Sequence, residues 1–119
     1  MKLLIAGQDA GDRECLAAYL RLGAHFVIVG QTASLTDTLE AVAREKPDVL
    51  LLDGDLADTD ALDAVGKIAR LDSAPPIVLL LVRVERSTED RALRAGAAAC
   101  VEKSEGVERL IVAMRAAAS

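Results

Sequence analysis

Val49, Leu50, Leu51 and Leu52 stand in unbroken succession between Pro47-Asp48 and the acidic turn Asp53-Gly54-Asp55. A run this short, apolar at every position, suits a strand covered on both faces, as in the middle of a parallel sheet flanked by helices. Pro47 has no amide proton to give a ladder, so the strand begins after it. In an open α/β sheet, ligands gather beyond the carboxyl ends of the strands. Asp53 stands at such an end. It reads either as a nucleophile or metal ligand in a crevice, or as a polar strand terminator or the cap of the next helix.

Similar short apolar runs recur, alternating with helical spacing. Lys2–Ala6 reads as a first strand ending at Gly7-Gln8-Asp9. From Asp12 to Leu22, residues Cys15, Leu16, Tyr19, Leu20 and Leu22 recur at helical intervals, and Gly23 supplies a stop. His25–Val29 reads as a second strand bounded by Gly30. Ser34-Leu35-Thr36-Asp37 has the form of a capping box, opening a helix with Leu35, Leu39, Val42 and Ala43 inward and Lys46-Pro47 at its close. The third strand is Val49–Asp53, and 55–59 is a polar loop. Asp60 then opens a helix carrying Leu62, Val65, Ile68, Ala69 and Leu71. Ala74-Pro75-Pro76 breaks it and introduces a fourth strand, Ile77–Val82. Ser87-Thr88-Glu89-Asp90 is a second candidate capping box, leading into Ala92, Leu93 and Ala95 and a stop at Gly96. Ala98–Val101 reads as the fifth strand, followed by Glu102-Lys103-Ser104. The last helix puts Val107, Leu110, Ile111 and Met114 on one face, and Gly106 in its first turn weakens its start.

Strands alternating with helices in this way predict an α/β, doubly wound five-stranded parallel sheet of the flavodoxin-like (βα)5 kind. Right-handed crossovers and short connections leave few topologies, and the order 2-1-3-4-5 is the expected one. It brings Gly7–Asp9 beside Asp53 where the strand order reverses. The 119 residues are read as one domain. Tyr19 and Phe26 are its only aromatics, so Ala, Leu and Val must fill the core. A net charge of −5 argues against a nucleic-acid surface on this segment. No apolar run approaches the roughly 20 residues that span a bilayer, and no signal peptide is visible. Cys15 and Cys100 lie far apart without metal-ligand spacing, so ordinary thiols in a cytoplasmic chain are expected.

Over its whole length the chain resembles the receiver domain of bacterial two-component response regulators. The residues that carry the resemblance are Lys2-Leu3-Leu4-Ile5-Ala6, Pro47 to Asp53, Arg94-Ala95-Gly96-Ala97 and Lys103, at family spacing. The similarity is greatest to receivers that precede a helix-turn-helix DNA-binding domain, and no such domain lies within these residues. The resemblance implies that Asp53 is the phosphoacceptor and Lys103 the cation that neutralises the phosphoryl oxygens. A phosphoryl transition state spreads negative charge over those oxygens, which is why positive charge is needed there. The resemblance also implies a histidine kinase or downstream regulator as partner, or a second copy in a homodimer. Such partners dock on the face of helix four, strand five and helix five, or on helices one and five. Arg83, Arg86, Arg91, Arg94, Arg109 and Arg115 supply either a rim for that contact or simply a solvated face.

Other family positions have changed. The acidic pair that holds Mg²⁺ at the end of the first strand is here Gly7 and Gln8. Mg²⁺ takes oxygen ligands and one or two carboxylates. Asp9, one residue on, reaches inward only if its loop shifts, and otherwise caps a helix. Together with Asp53 and Asp55 it makes at best a weak metal site, so Mg²⁺ is expected to be weak or lost. The Ser or Thr ending the fourth strand is Leu81, with Val82 next, and neither side chain donates a hydrogen bond. The switch aromatic of the fifth strand is Cys100, too small to fill or vacate such a pocket.

The expectation is therefore a degenerate receiver, a protein-interaction module independent of phosphorylation, with Asp53 and Lys103 as a simple ion pair. One alternative keeps phosphotransfer on Asp53 with weak Mg²⁺. A remote one is enzymatic: Leu52-Asp53-Gly54-Asp55 resembles the Asp-x-Asp motif of haloacid-dehalogenase-type phosphatases, nucleophile first and acid/base second. Ala57 departs from that motif, and these residues show neither its later acidic pair nor its cap. A small molecule replacing the phosphoryl group is a further alternative, since Gly7, Leu81 and Val82 make the crevice more apolar.

Overall fold

The structure is a computed structural model and describes residues 1–22 and 26–119. Its strands are β1 (Lys2–Ala6), β2 (Val27–Thr32), β3 (Val49–Asp53), β4 (Ile77–Leu81) and β5 (Ala99–Glu102). Its helices are α1 (Ala10–Leu22), α2 (Leu35–Glu45), α3 (Ala61–Ala69), α4 (Arg86–Ala95) and α5 (Val107–Ala118), with a 3₁₀ turn at Lys103–Glu105. The sheet is parallel, in the order β2-β1-β3-β4-β5, as expected.

Alternation along β3 sorts the core into two layers, because successive side chains leave a strand on opposite faces. Leu50 and Leu52 pack with Ala41 and Val42 of α2, Ala64, Val65 and Ile68 of α3 and Ala92 of α4. Val49 and Leu51 pack with Ala17 and Leu20 of α1 and Leu110, Ala113 and Met114 of α5. Every residue of β3 is buried, which explains its unbroken apolar run. Asp53 is next in the alternation and falls on the α1/α5 side.

Several local expectations are corrected. β2 does not stop at Gly30 but continues through it to Thr32. Its ladder with β1 slips between Leu3, opposite Ile28, and Leu4, opposite Gly30. A Cβ on Gly30 would stand 3.3 Å from Leu4 Cδ1, so the glycine marks close packing rather than a strand end. Gly23 as a helix stop and His25 as a strand start lie outside the described residues. In α1, Cys15 is exposed, as are Tyr19 at 61 % and Leu22 at 83 %. The narrow buried stripe is Ala17 and Leu20, and small Ala17 lets the helix sit close to the sheet. Ala43 of α2 is also exposed, and Thr38 is buried instead. Its hydroxyl is satisfied by Thr32 Oγ1 and the Ser34 carbonyl, each at 2.7 Å.

Ser34 caps α2 as expected, accepting from the Asp37 amide at 3.1 Å. Ser87–Asp90 is no capping box: α4 begins at Arg86, and its N-cap, Glu85, makes no side-chain cap bond. β4 ends at Leu81 rather than Val82, which is 76 % exposed. β5 runs one residue later than expected because Leu81 pairs with Glu102. Gly106 lies before α5, not inside it, at φ 91°, where glycine is the favoured residue.

Gly96 does two jobs at the end of α4. It adopts φ 124°, and a Cβ there would stand 2.5 Å from Ala69 Cβ at the end of α3. Gly54 has φ 74° with nothing within 4 Å of its Cβ position. Gly96→Ala should therefore lower unfolding stability by about 2–3 kcal/mol in urea titration, and Gly54→Ala by only about 1 kcal/mol. Equal losses would contradict the close helix approach.

Candidate functional site

The carboxyl ends of β1, β3, β4 and β5 surround a crevice of about 400 Å³ containing Gln8, Asp9, Asp53, Asp55, Leu81 and Lys103. Asp53 is buried there, with only 5 % of its side chain accessible. Its strand pairs with β4 in a register that sets Asp53 opposite Leu80. The Gly54 amide then donates to the Leu80 carbonyl at 3.0 Å, which fixes the turn behind the carboxylate.

Lys103 comes from the 3₁₀ turn after β5. Its Nζ lies 3.0 Å from Asp53 Oδ1 and 3.8 Å from Asp12 Oδ2. The two residues singled out in the sequence are thus brought together. A carboxylate this deep needs a counter-charge, and Lys103 supplies it. Asp12, in the first turn of α1, was missed. The available signal was its place on the turn following β1, one helical turn beyond Asp9.

Two other carboxylates of the crevice, Asp9 and Asp55, each hold a backbone amide. Asp9 Oδ1 accepts from the Asp12 amide at 2.8 Å, so Asp9 caps α1. Asp55 Oδ1 accepts from the Ala61 amide at the start of α3, also at 2.8 Å. Gln8 is exposed and offers no charge. Gly7 is buried, and a Cβ on it would stand 3.0 Å from the Asp53 carbonyl oxygen and 3.2 Å from Asp53 Cβ. The ends of β1 and β3 are therefore packed on the absence of a side chain at residue 7. The Arg13 guanidinium donates to the Gly7 carbonyl and, at 3.4 Å, to Gln31 Oε1. Among the described residues, no three His, Cys, Asp or Glu side chains converge as a metal-holding group. Mg²⁺ takes near-octahedral oxygen ligation, and among the oxygens this crevice offers it are those of Asp9, Asp53 and Asp55, with one oxygen each of Asp9 and Asp55 already holding a backbone amide.

Leu81 and Val82 line the same crevice. Cys100 is partly buried against the α2–α4 core layer. Burial pushes its thiol up from the ordinary range, with Glu89 and Glu105 adding to the effect. Glu102 was not singled out in the sequence as a site residue. Its Oε1 accepts from the Val84 amide at 2.9 Å and its Oε2 from Ser104 Oγ at 2.6 Å. Those bonds, Ser104 first, hold its carboxyl below the usual glutamate range.

A second, more apolar groove of about 240 Å³ opens between α1 and α5 and shares Asp53, Lys103, Asp12 and Leu80 with the first. Arg83, Arg86, Arg91, Arg94, Arg109 and Arg115 are all exposed. Arg109 makes only a 3.9 Å pair with Glu105 one turn away, so that arginine belongs to a solvated face.

With this geometry in view, the comparisons with known proteins converge. The family described as response regulator receiver domain matches residues 3–115. The chain belongs to that family. It is 34 % identical over 118 residues to the transcriptional regulatory protein PdtaR of Mycobacterium tuberculosis, covering 99 % of this chain and 57 % of that protein. It is 33 % identical over 115 residues to the transcriptional regulatory protein KdpE of Mycobacterium tuberculosis, covering 97 % of this chain and 50 % of that one. The chain thus spans about half the length of these curated relatives. The signal receiver domain of the response regulator NarL from Mycobacterium tuberculosis superposes with a TM-score of 0.89 at 21 % identity, covering 98 % of this chain and 94 % of that one. That likeness supports the fold. Receivers of this family are in general phosphoacceptors rather than enzymes, typically bind Mg²⁺ at the phosphorylation site, and interact with histidine kinases and effector domains. Among the described residues, no helix is long and apolar enough to cross a membrane.

The two thiols of this receiver should react differently. Because the thiolate is the nucleophile, a raised pKa leaves less of it at neutral pH. Iodoacetamide at neutral pH should modify exposed Cys15 first and Cys100 at least about tenfold more slowly, the gap closing as pH rises. Peptide mass mapping over time reads this, and equal rates at neutral pH would contradict the burial of Cys100.

Proposed function

We propose that the chain is a receiver, spanning residues 1–119, that works as a protein-interaction module without phosphorylation, its centre held in one conformation by the Asp53–Lys103 pair. The observation that carries this reading is the 3.0 Å ion pair on a carboxylate with 5 % side-chain exposure, set among groups unsuited to Mg²⁺. Asp9 and Asp55 each accept a backbone amide at 2.8 Å, which leaves each with one oxygen not so engaged. Gly7 carries no ligand, and the Arg13 guanidinium beside its carbonyl adds fixed positive charge on that side.

Phosphoryl transfer depends almost wholly on positioning and charge neutralisation. Loss of one positioned donor typically costs roughly 10²–10³ in rate. Here both the metal ligands and the hydroxyl at Leu81 are missing, which should reduce transfer to insignificance. Cys100 likewise supports a fixed state, since a partly buried thiol has no aromatic ring to swing. The partners of such a module are proteins: a histidine kinase, a downstream regulator, or a second copy. The setting we propose is the cytoplasm, where a receiver meets them.

The retained Asp53–Lys103 geometry also suits the second reading, weak Mg²⁺-dependent phosphorylation of Asp53. Beryllofluoride with Mg²⁺ separates the two. The proposal predicts no saturable amide shifts at Asp53, Gly54 and Lys103 in an ¹⁵N-correlated NMR titration. Saturable shifts there, abolished by Asp53→Asn, would establish phosphotransfer instead.

A further inference from the structure

The loop from Val82 to Glu85 enters α4, a helix with no side-chain cap at its start. One side chain ties that loop to the neighbouring strand. Glu102, the last residue of β5, receives the Val84 amide at 2.9 Å on Oε1. Its Oε2 receives the Ser104 hydroxyl at 2.6 Å. The same carboxylate accepts the Glu105 amide, and Glu105 returns the bond by accepting the Glu102 amide at 2.8 Å. Three donors therefore converge on one carboxylate, two from the turn that carries Lys103 and one from the loop 18 residues away in sequence. Lys103 is the next residue in the chain, and it is the one that reaches Asp53.

We infer that Glu102 is a positioning residue, a latch that joins the Lys103 turn to the start of α4. In this receiver no hydroxyl at Leu81 can link the central carboxylate to the 82–85 loop. Glu102 supplies a different mechanical connection. It runs from Asp53 through Lys103 and the 103–105 turn to Val84 and the first turn of α4. Charge-assisted bonds of this kind are about twice as strong as neutral ones, so the carboxylate holds what an amide would hold less firmly. The inference rests on the proposed fixed conformation for its consequence: α4 is presented to partners in the orientation that the Asp53–Lys103 pair dictates.

Native-state amide hydrogen exchange tests the latch without any phosphate mimic. Glu102→Ala should speed exchange of the Val84 and Glu105 amides at least tenfold. Glu102→Gln, which keeps one acceptor oxygen but no charge, should move both in the same direction by less, and it serves alone if the alanine variant does not fold. The coupling has its own readout, which a merely structural role would not move. Asp53→Asn should shift the amides of Arg86 to Thr88 in the otherwise native chain and leave them unmoved in the Glu102 variant. Unchanged Val84 exchange, or Asp53→Asn shifts that persist without Glu102, would overturn the inference. A beryllofluoride response in the native chain would sink the phosphorylation-independent reading and leave the Val84 result standing, so the two failures are distinguishable.

Discussion

A carboxylate buried at the end of the central strand needs a cation beside it, and the rest of this sheet is arranged so that one arrives. β5 lies two strands from β3, which at sheet spacing is roughly 9–10 Å. Lys103 spans that interval above Leu80, the β4 residue opposite Asp53 in the ladder. The strand order is therefore a condition for the ion pair. Shifting β3 or β5 by one residue would turn Asp53 or Lys103 to the other face. The pair also draws in α1, because Asp12 in its first turn stands 3.8 Å from the same ammonium.

What surrounds the pair explains its proposed persistence. In the proposed reading a metal would compete with Lys103 for Asp53, and the carboxylates beside it each already hold a backbone amide. Asp9 caps α1, and Asp55 takes up the Ala61 amide at the start of α3, whose cap is Asp60. Gly7 is fitted against the backbone of Asp53, so any side chain there would press the end of β3 back by a few tenths of an ångström. On the far side, Glu102 gathers three hydrogen bonds and ties the lysine turn to the α4 entrance.

The layer architecture was legible because β3 is buried on both sides and says so at every position. Asp53 and Lys103 were legible as a pair only through family spacing, since no local pattern links residues 50 positions apart. Failures clustered where a side chain has two plausible neighbours. Gly30 and Gly106 read alike as interruptions, yet one lies inside β2 against Leu4 and the other at the positive φ before α5. Cys15, Leu16, Tyr19, Leu20 and Leu22 fit a helical stripe by spacing, but the packing of α1 buries only Leu20 of these, with Leu16 partly buried, and adds Ala17. Ser87–Asp90 had the letters of a capping box two residues too late. Asp12 and Glu102 were missed because their roles depend on which amide or ammonium the fold delivers to them.

The central claim is that Asp53 is engaged by Lys103 and takes up no phosphoryl group. The most direct measurement is intact-protein mass spectrometry after incubation with acetyl phosphate and excess Mg²⁺. The account predicts the unmodified mass throughout. A stoichiometric gain of one phosphoryl group, absent in Asp53→Asn, would contradict it.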